Sequence, residues 1–312
     1  PEDLITRLTN QFIYNGSSYE NPVDCLDYHK KNALKYDDVL EFYHLFYHPD
    51  RMIVSIVSNI PFETIKKIFK KTFFMKKREP VVKIAKYIMN FDVSFKPQKD
   101  IQLKIEKKKG IITTLLTVSF RTCSIFSDDK YILNVLKTIL VGGMSGRLFM
   151  ILRENHGVTY SSDVDVNYYE RIGDFTISTE CDYHKMMHSN GVLELIMDLL
   201  QTMIQKGVFQ EELEIAKGYI KGQMMQSLEN NDTQCEYNGE QLLLLKDFDK
   251  ITPYDKLYDT YYKNISVESV NRVLQTYFKR DNMNICMVGE HVPTVAAVKK
   301  VCNLFFQIEE LS

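Results

Sequence analysis

Seven histidines raise the question of a metal. His184 and His188 are four positions apart, as are His44 and His48, and on a helix that spacing puts two imidazoles on one face, as two zinc ligands require. Neither pair carries the intervening Glu that a zinc hydrolase uses as general base. His48 also precedes a helix-stopping Pro49, so both pairs are expected to be structural. Gly142-Gly143-Met144-Ser145-Gly146 has the glycine content of a phosphate cradle, but it lacks a P-loop lysine and G-x-G-x-x-G spacing. The alternative is backbone passing close to a neighbour, which glycine alone permits. Arg153 and Tyr160 carry a guanidinium and a phenol that could both donate to a peptide carbonyl or a developing oxyanion. They fit equally well a helix-end Arg favoured by the dipole and a buried strand Tyr. No Ser-His-Asp order, C-x-x-C or Cys–His pair emerges from the spacing.

The elements that must position these residues follow from periodicity. Residues 4–12 have apolar positions at helical spacing, followed by a turn at Asn15-Gly16-Ser17-Ser18. Asn21-Pro22 is another turn, with helical segments after it. Residues 36–47 form an amphipathic helix that Asp37 can cap, with Val39, Leu40, Tyr43 and Phe46 on one face. His48-Pro49-Asp50 ends it, residues 52–57 read as a strand, and 62–74 as a further helix. Residues 76–99 are charged and broken by Pro80 and Pro97. Residues 110–121 form a buried strand, and 128–140 and 147–155 are helices around the glycine loop. Residues 158–166 and 174–181 are two strands; 189–206 and 210–230 are long helices. Strands interleaved with long helices predict an α+β fold, with helices covering a sheet.

An internal duplication organises the chain. Shifted by 231 positions, residues 1–59 lie on 232–290 without a gap: Pro22 on Pro253, Asp24 on Asp255, Leu26 on Leu257, Val39 on Val270, Asp50 on Asp281, Met52 on Met283 and Val57 on Val288. The shared hydrophobic rhythm is stronger than the identities. If the second copy begins near Ile101, about 130 residues of the first copy would precede Pro1. The expected organisation is therefore a remnant of the first repeat at 1–75, a linker at 76–100 and the second repeat at 101–312.

Composition narrows the function classes. A net charge of −2 argues neither for a nucleic-acid partner nor for an acidic one, and the basic stretch from Lys66 to Lys109 lacks aromatic residues at base spacing, so a solvated linker is favoured over an interaction module and no nucleic-acid partner is expected. No apolar run reaches membrane-spanning length. Six scattered cysteines predict reduced, buried thiols in a cytosol-like compartment.

The stretch from Leu140 to Tyr160 carries Gly-Gly-x-Ser-x-Arg-Leu and then Leu-Arg-Glu-x-x-Gly-x-x-Tyr. It resembles the C-terminal half of pitrilysin/insulinase-type zinc metallopeptidases, a family that includes the mitochondrial processing peptidase and two-domain bacterial proteases. The resemblance continues through Gly173-Asp174-Phe175, Gly207-Val208 and residues 211–222, and returns at Tyr47-His48-Pro49-Asp50-Arg51-Met52. It implies two homologous α+β halves, each with an antiparallel-rich sheet covered by helices, the first half truncated at its N-terminus. It also implies zinc held in the first half through an H-x-x-E-H motif. Arg153 and Tyr160 are then the residues that hold the substrate in the second half. The motif is absent from this sequence, so no metal ligand and no peptidase activity are expected of these 312 residues alone. The implied partners are a peptide or protein substrate and the missing N-terminal half, or a homologous subunit in a dimer. The rival reading is a non-catalytic relative that serves as a binding or structural subunit.

Overall fold

The computed structural model describes residues 2–21, 35–72 and 94–305. Its elements, in chain order, are α1 (Glu2–Ile13), α2 (Tyr36–Phe46), α3 (Phe62–Phe69), β1 (Gln102–Lys107), β2 (Thr114–Thr122), α4 (Asp129–Val141), a π-helical segment Phe149–Asn155, β3 (Ser162–Tyr168), β4 (Gly173–Cys181), α5 (Tyr183–Met186), α6 (Val192–Lys206), α7 (Gln210–Ser227), α8 (Asn231–Leu245), α9 (Val267–Tyr277), β5 (Met283–Gly289) and α10 (Val295–Phe305). The fold is α+β, as the interleaved patterns imply. By contacts the chain divides into two units: residues 1–22, 93–221 and 261–312 form the first, and 23–92 and 222–260 the second. Repeat ancestry and packing are different partitions, and the expected linker at 76–100 falls mostly outside the described residues.

The first unit is built on a five-stranded sheet in the order β1-β5-β2-β4-β3. β5 runs parallel to β1 and antiparallel to β2, so Leu103 and Val118 both face Ile285. β1 carries no expectation from sequence; its half-buried positions give a weaker apolar signal than the wholly buried β5. Period-two alternation gives the sheet two different faces. Leu116, Val118 and Phe120 of β2 point into the main core, where Phe278 packs on Phe120 and Phe175 at ring separations of 4.7 and 5.0 Å. On the other face lies α1, whose Ile5 packs with Leu115, Cys286 and Val288. The hydroxyls of Thr9 and Thr117 meet at 2.7 Å.

α1 is also pinned at its C-terminal end. The Arg121 guanidinium donates to Ile13 O at 2.5 Å, and the buried Tyr14 hydroxyl donates to the Asp174 carboxylate. Burial pushes the Asp174 carboxyl above its ordinary range, although hydrogen bonds from Tyr14, Thr176 and Asn167 work the other way.

The second unit repeats part of this plan. Shifted by 231, α2 coincides end to end with α9, and the 3₁₀ turn at Pro49–Arg51 coincides with that at Arg280–Asn282. Even the start is shared, since the amide of the residue before each helix donates to the side chain three positions on: Lys35 to Asp38 and Ser266 to Ser269. This corrects the expectation that Asp37 caps α2. The strand expected at 52–57 is also corrected: these residues pair with no described strand. Their alternation is that of a strand, but strand structure needs a ladder partner.

Candidate functional site

The glycine loop is a packing device. Between α4 and the π-helical segment the chain doubles back so tightly that a Cβ on Gly146 would stand 2.6 Å from Leu140 O, which only glycine avoids. Arg147 follows immediately and is clamped to the first turn of α7, with its Nε and Nη2 donating to Glu212 at 2.7 and 2.6 Å. Burial opposes ionisation of Glu212. The hydrogen bonds from Arg147 and the Phe209 amide outweigh it and hold the carboxyl below its ordinary range.

From this anchor the chain runs into residues Phe149–Asn155, expected as an ordinary helix and found wound as a π-helix. Such segments are rare and concentrate at functional sites. Leu152 is buried beneath it while Arg153 faces outward, its guanidinium 5.1 Å from the centre of the Phe149 ring and in no ion pair with a described residue. Gly157, at φ +57°, then turns the chain. Val158 N donates to Leu152 O at 2.9 Å, and Lys185 reaches Gly157 O at 3.1 Å.

Tyr160 lies before β3 and is 88% exposed, which corrects both the strand start expected at 158 and the alternative of a buried strand Tyr. Its backbone is nevertheless fixed on both sides. The buried Thr159 hydroxyl lies 2.6 Å from Glu180 O, and the Thr179 hydroxyl donates to Ser161 O at 2.8 Å. Exposed aromatic area on rigidly held backbone is available to a ligand, with little ordering entropy left to lose.

Beside this segment lies a cavity of about 660 Å³. Ser161, Asp163 and Asp165 line one side, Thr176, Ser178 and Glu180 the floor, and Glu2, Thr6 and Asn10 of α1 the far side. It occupies the part of the α1-side sheet face that α1 does not cover. Carboxylates and hydroxyls dominate it, and among the described residues no Lys or Arg lines it, so it suits peptide amides and basic side chains better than an acidic ligand.

Neither histidine pair lies within a single helix. α2 ends at Phe46, before His48, and α5 ends at Met186, before His188, whose Nδ1 lies 2.9 Å from Ser189 O. Among the described residues no group of three or more His, Cys, Asp or Glu side chains could hold a metal ion. Cys123, Cys181, Cys286 and Cys302 are buried free thiols, with Cys235 half-buried; Cys25 lies outside the described residues. Burial pushes the Cys123 and Cys286 thiols up to about 11, which suits packing and not nucleophilic chemistry. No described helix is long and apolar enough to cross a membrane.

Comparison with known proteins agrees with this architecture. The family described as the peptidase M16 inactive domain matches residues 33–219. An uncharacterized zinc protease of Bacillus subtilis, YmxG, is 26% identical over 281 residues, covering 90% of this chain and 64% of the relative. A mycobacterial relative, also named a zinc protease, is 24% identical over 204 residues and is covered over 44% of its length. The chain thus spans less than two thirds of the curated relatives it matches. Among solved structures, a protease from Helicobacter pylori superposes with a TM-score of 0.76 at 16% identity, covering 92% of this chain and 67% of that one. A peptidase M16 inactive domain from Pseudomonas fluorescens gives 0.74 at 17% identity, with 93% and 66% covered.

Proposed function

The chain belongs to the peptidase M16 inactive-domain family, and from that premise we propose that it is the substrate-holding part of a zinc metalloendopeptidase whose metal is bound outside these residues. The observations that carry the reading are that Arg153 faces outward and that Tyr160, seven positions on, is 88% exposed on a fixed backbone, with Ser161, the next residue, lining an acidic, hydroxyl-lined cavity. Neither side chain contributes to the core. Arg153 offers a fixed positive charge and several N–H donors, and Tyr160 one O–H donor. Together they hold an extended peptide by its carbonyl oxygens and favour the form in which negative charge has developed on one of them. No group of three or more described His, Cys, Asp or Glu side chains could hold a zinc ion, and in this reading zinc and the activated water are supplied by a partner half. The domain organisation we adopt is that of the repeat: 1–75, 76–100 and 101–312.

The reading is tested in the zinc-loaded protein that includes the polypeptide encoded upstream of Pro1. Arg153→Ala should lower kcat/KM for peptide cleavage about a hundredfold, the usual scale for losing one oxyanion-type donor, with an unchanged melting temperature. Tyr160→Phe should act in the same direction and less strongly. Unaltered turnover in Arg153→Ala would return that residue to a helix-end role. The isolated chain should bind no stoichiometric zinc, as metal analysis after gel filtration can establish.

A further inference from the structure

We propose that Thr179 and Lys185 are positioning residues: they fasten the turn between Arg153 and Tyr160 to one stretch, residues 179–185, and so set where the guanidinium and the phenol project. The geometry stands without any activity; its consequence for turnover rests on the proposed substrate-holding role. Arg153 lies on the π-helical segment and Tyr160 ahead of β3, with Gly157 at φ +57° between them. Glycine gives a turn more backbone freedom than any other residue. The aim of both side chains therefore depends on what holds the turn.

Two buried hydroxyls hold the Tyr160 end, 5% exposed at Thr159 and 7% at Thr179. Each has one proton to donate. Thr159 Oγ1 lies 2.6 Å from Glu180 O and 2.9 Å from Ser161 O, while Thr179 Oγ1 lies 2.8 Å from Ser161 O and 3.2 Å from Thr159 Oγ1. These hydroxyls serve both carbonyls only if Thr159 donates to Glu180 O and Thr179 to Ser161 O. Thr159 Oγ1 then accepts from the Ser161 amide at 3.3 Å, which brackets Tyr160 in a hydroxyl turn. Without Thr179, one proton would face two carbonyls and Ser161 O would lose its tie to β4.

The Arg153 end is held from α5. The π-helical segment closes with Gly157 N donating to Arg153 O at 3.0 Å and Val158 N to Leu152 O at 2.9 Å. The Gly157 carbonyl in turn accepts from Lys185 Nζ at 3.1 Å. This bond is charge-assisted, and it places a cation at the C-terminal end of a helical segment, where the dipole favours one. Lys185 is half-buried and its neighbour Met186 fully buried, so the ammonium is presented from a packed base. Thr179 and Lys185 both bond main-chain oxygens of the same turn. They fix its backbone without engaging the side chain of Arg153 or Tyr160.

The test has two arms. In the 312-residue chain, Thr179→Val and Lys185→Met should each speed hydrogen exchange at amides 157–161 about tenfold and leave those of 283–289 unchanged. Thr179→Ser and Lys185→Arg, which keep a donor, should restore the protection. Unchanged exchange at 157–161 overturns the proposal, as does an equal rise at 283–289, the mark of a residue that only stabilises the unit. The second arm uses the zinc-loaded protein that includes the upstream polypeptide, with fluorescein-labelled casein as substrate. There each of the two disruptive variants should lower kcat/KM about tenfold. Thr179→Val should cost less than about twofold once Tyr160→Phe is present, and Lys185→Met likewise once Arg153→Ala is present, because a positioning residue acts through the group it positions. Fully additive losses overturn the proposal. If casein is not cleaved, or is cleaved normally by Arg153→Ala and Tyr160→Phe, the substrate-holding reading falls, and the exchange arm alone decides whether Thr179 and Lys185 hold the turn.

Discussion

The helix, turn and following segment at 36–58 and at 267–289 are the same local structure in two environments. Both helices are 11 residues long, both are stopped by a 3₁₀ turn at the same offset, and both release a run of seven mostly apolar residues. In the later copy Val270 is fully buried and Ile285 sits inside a paired sheet; in the earlier one Val39 is 55% exposed and Val54 is 52% exposed. Local sequence therefore sets helix length, start and stop in both places, whereas strand formation and burial wait on non-local partners. Helices satisfy their own backbone, and strands do not.

The sharpest way to break this contrast is to place a charge at equivalent positions. Met287→Lys puts an ammonium in the middle of a buried sheet, and a loss of more than about 4 kcal/mol is expected, enough to unfold the first unit. Ile56→Lys in the same 312-residue chain should change stability by less than about 0.5 kcal/mol, the ordinary range for a surface position. Urea denaturation followed by circular dichroism measures both. Similar losses at the two sites would mean that 52–58 is packed in solution and the contrast is wrong. A smaller effect of the same kind is expected in the helices. Leu274→Ala should cost about 2–5 kcal/mol as a large-to-small core change, while Tyr43→Ala should cost about 1 kcal/mol or less at its more exposed position.

The same contrast explains what can be read from sequence. The helices at 2–13, 36–46, 129–141 and 192–206 are legible because an apolar stripe at period 3.6 is a local signal. The duplication is legible for the same reason, since it rests on those stripes. β1 escapes a sequence reading and 52–57 invites too strong a one for a single cause: whether an extended run becomes a strand depends on neighbours far away in sequence. Arg153 and Tyr160 are conspicuous by residue type and spacing, but nothing in the sequence reveals their exposure. The π-helical winding around Arg153 leaves no period in a seven-residue segment, and the Thr159–Thr179 anchoring of Tyr160 joins residues twenty apart.

The smallest effect concerns charge. α9 is tied to α4 by Asp129, which accepts hydrogen bonds from Arg272 at 2.5 Å and from the Tyr277 hydroxyl at 2.8 Å. The hydrogen bond from Arg272 is the main reason that the Asp129 carboxyl sits below its ordinary range. A depressed carboxyl contributes stability above its unfolded-state pKa and loses it as pH falls through the folded-state value. Acidification should therefore loosen α9 from α4. In the earlier copy Glu41 and Phe46 replace Arg272 and Tyr277, so these two positions cannot donate the same hydrogen bonds to a carboxylate. Arg272 is more than half exposed, so the pair is worth only about 1 kcal/mol or less. Asp129→Asn should lower the melting temperature by roughly 2–4 °C or less at neutral pH, with the difference vanishing below the carboxylate range; Glu41→Gln should change nothing at either pH. If Glu41→Gln were destabilising at neutral pH, α2 would have an ionic tether of its own, and the two copies would differ in the kind of neighbour they hold and not in whether one is present.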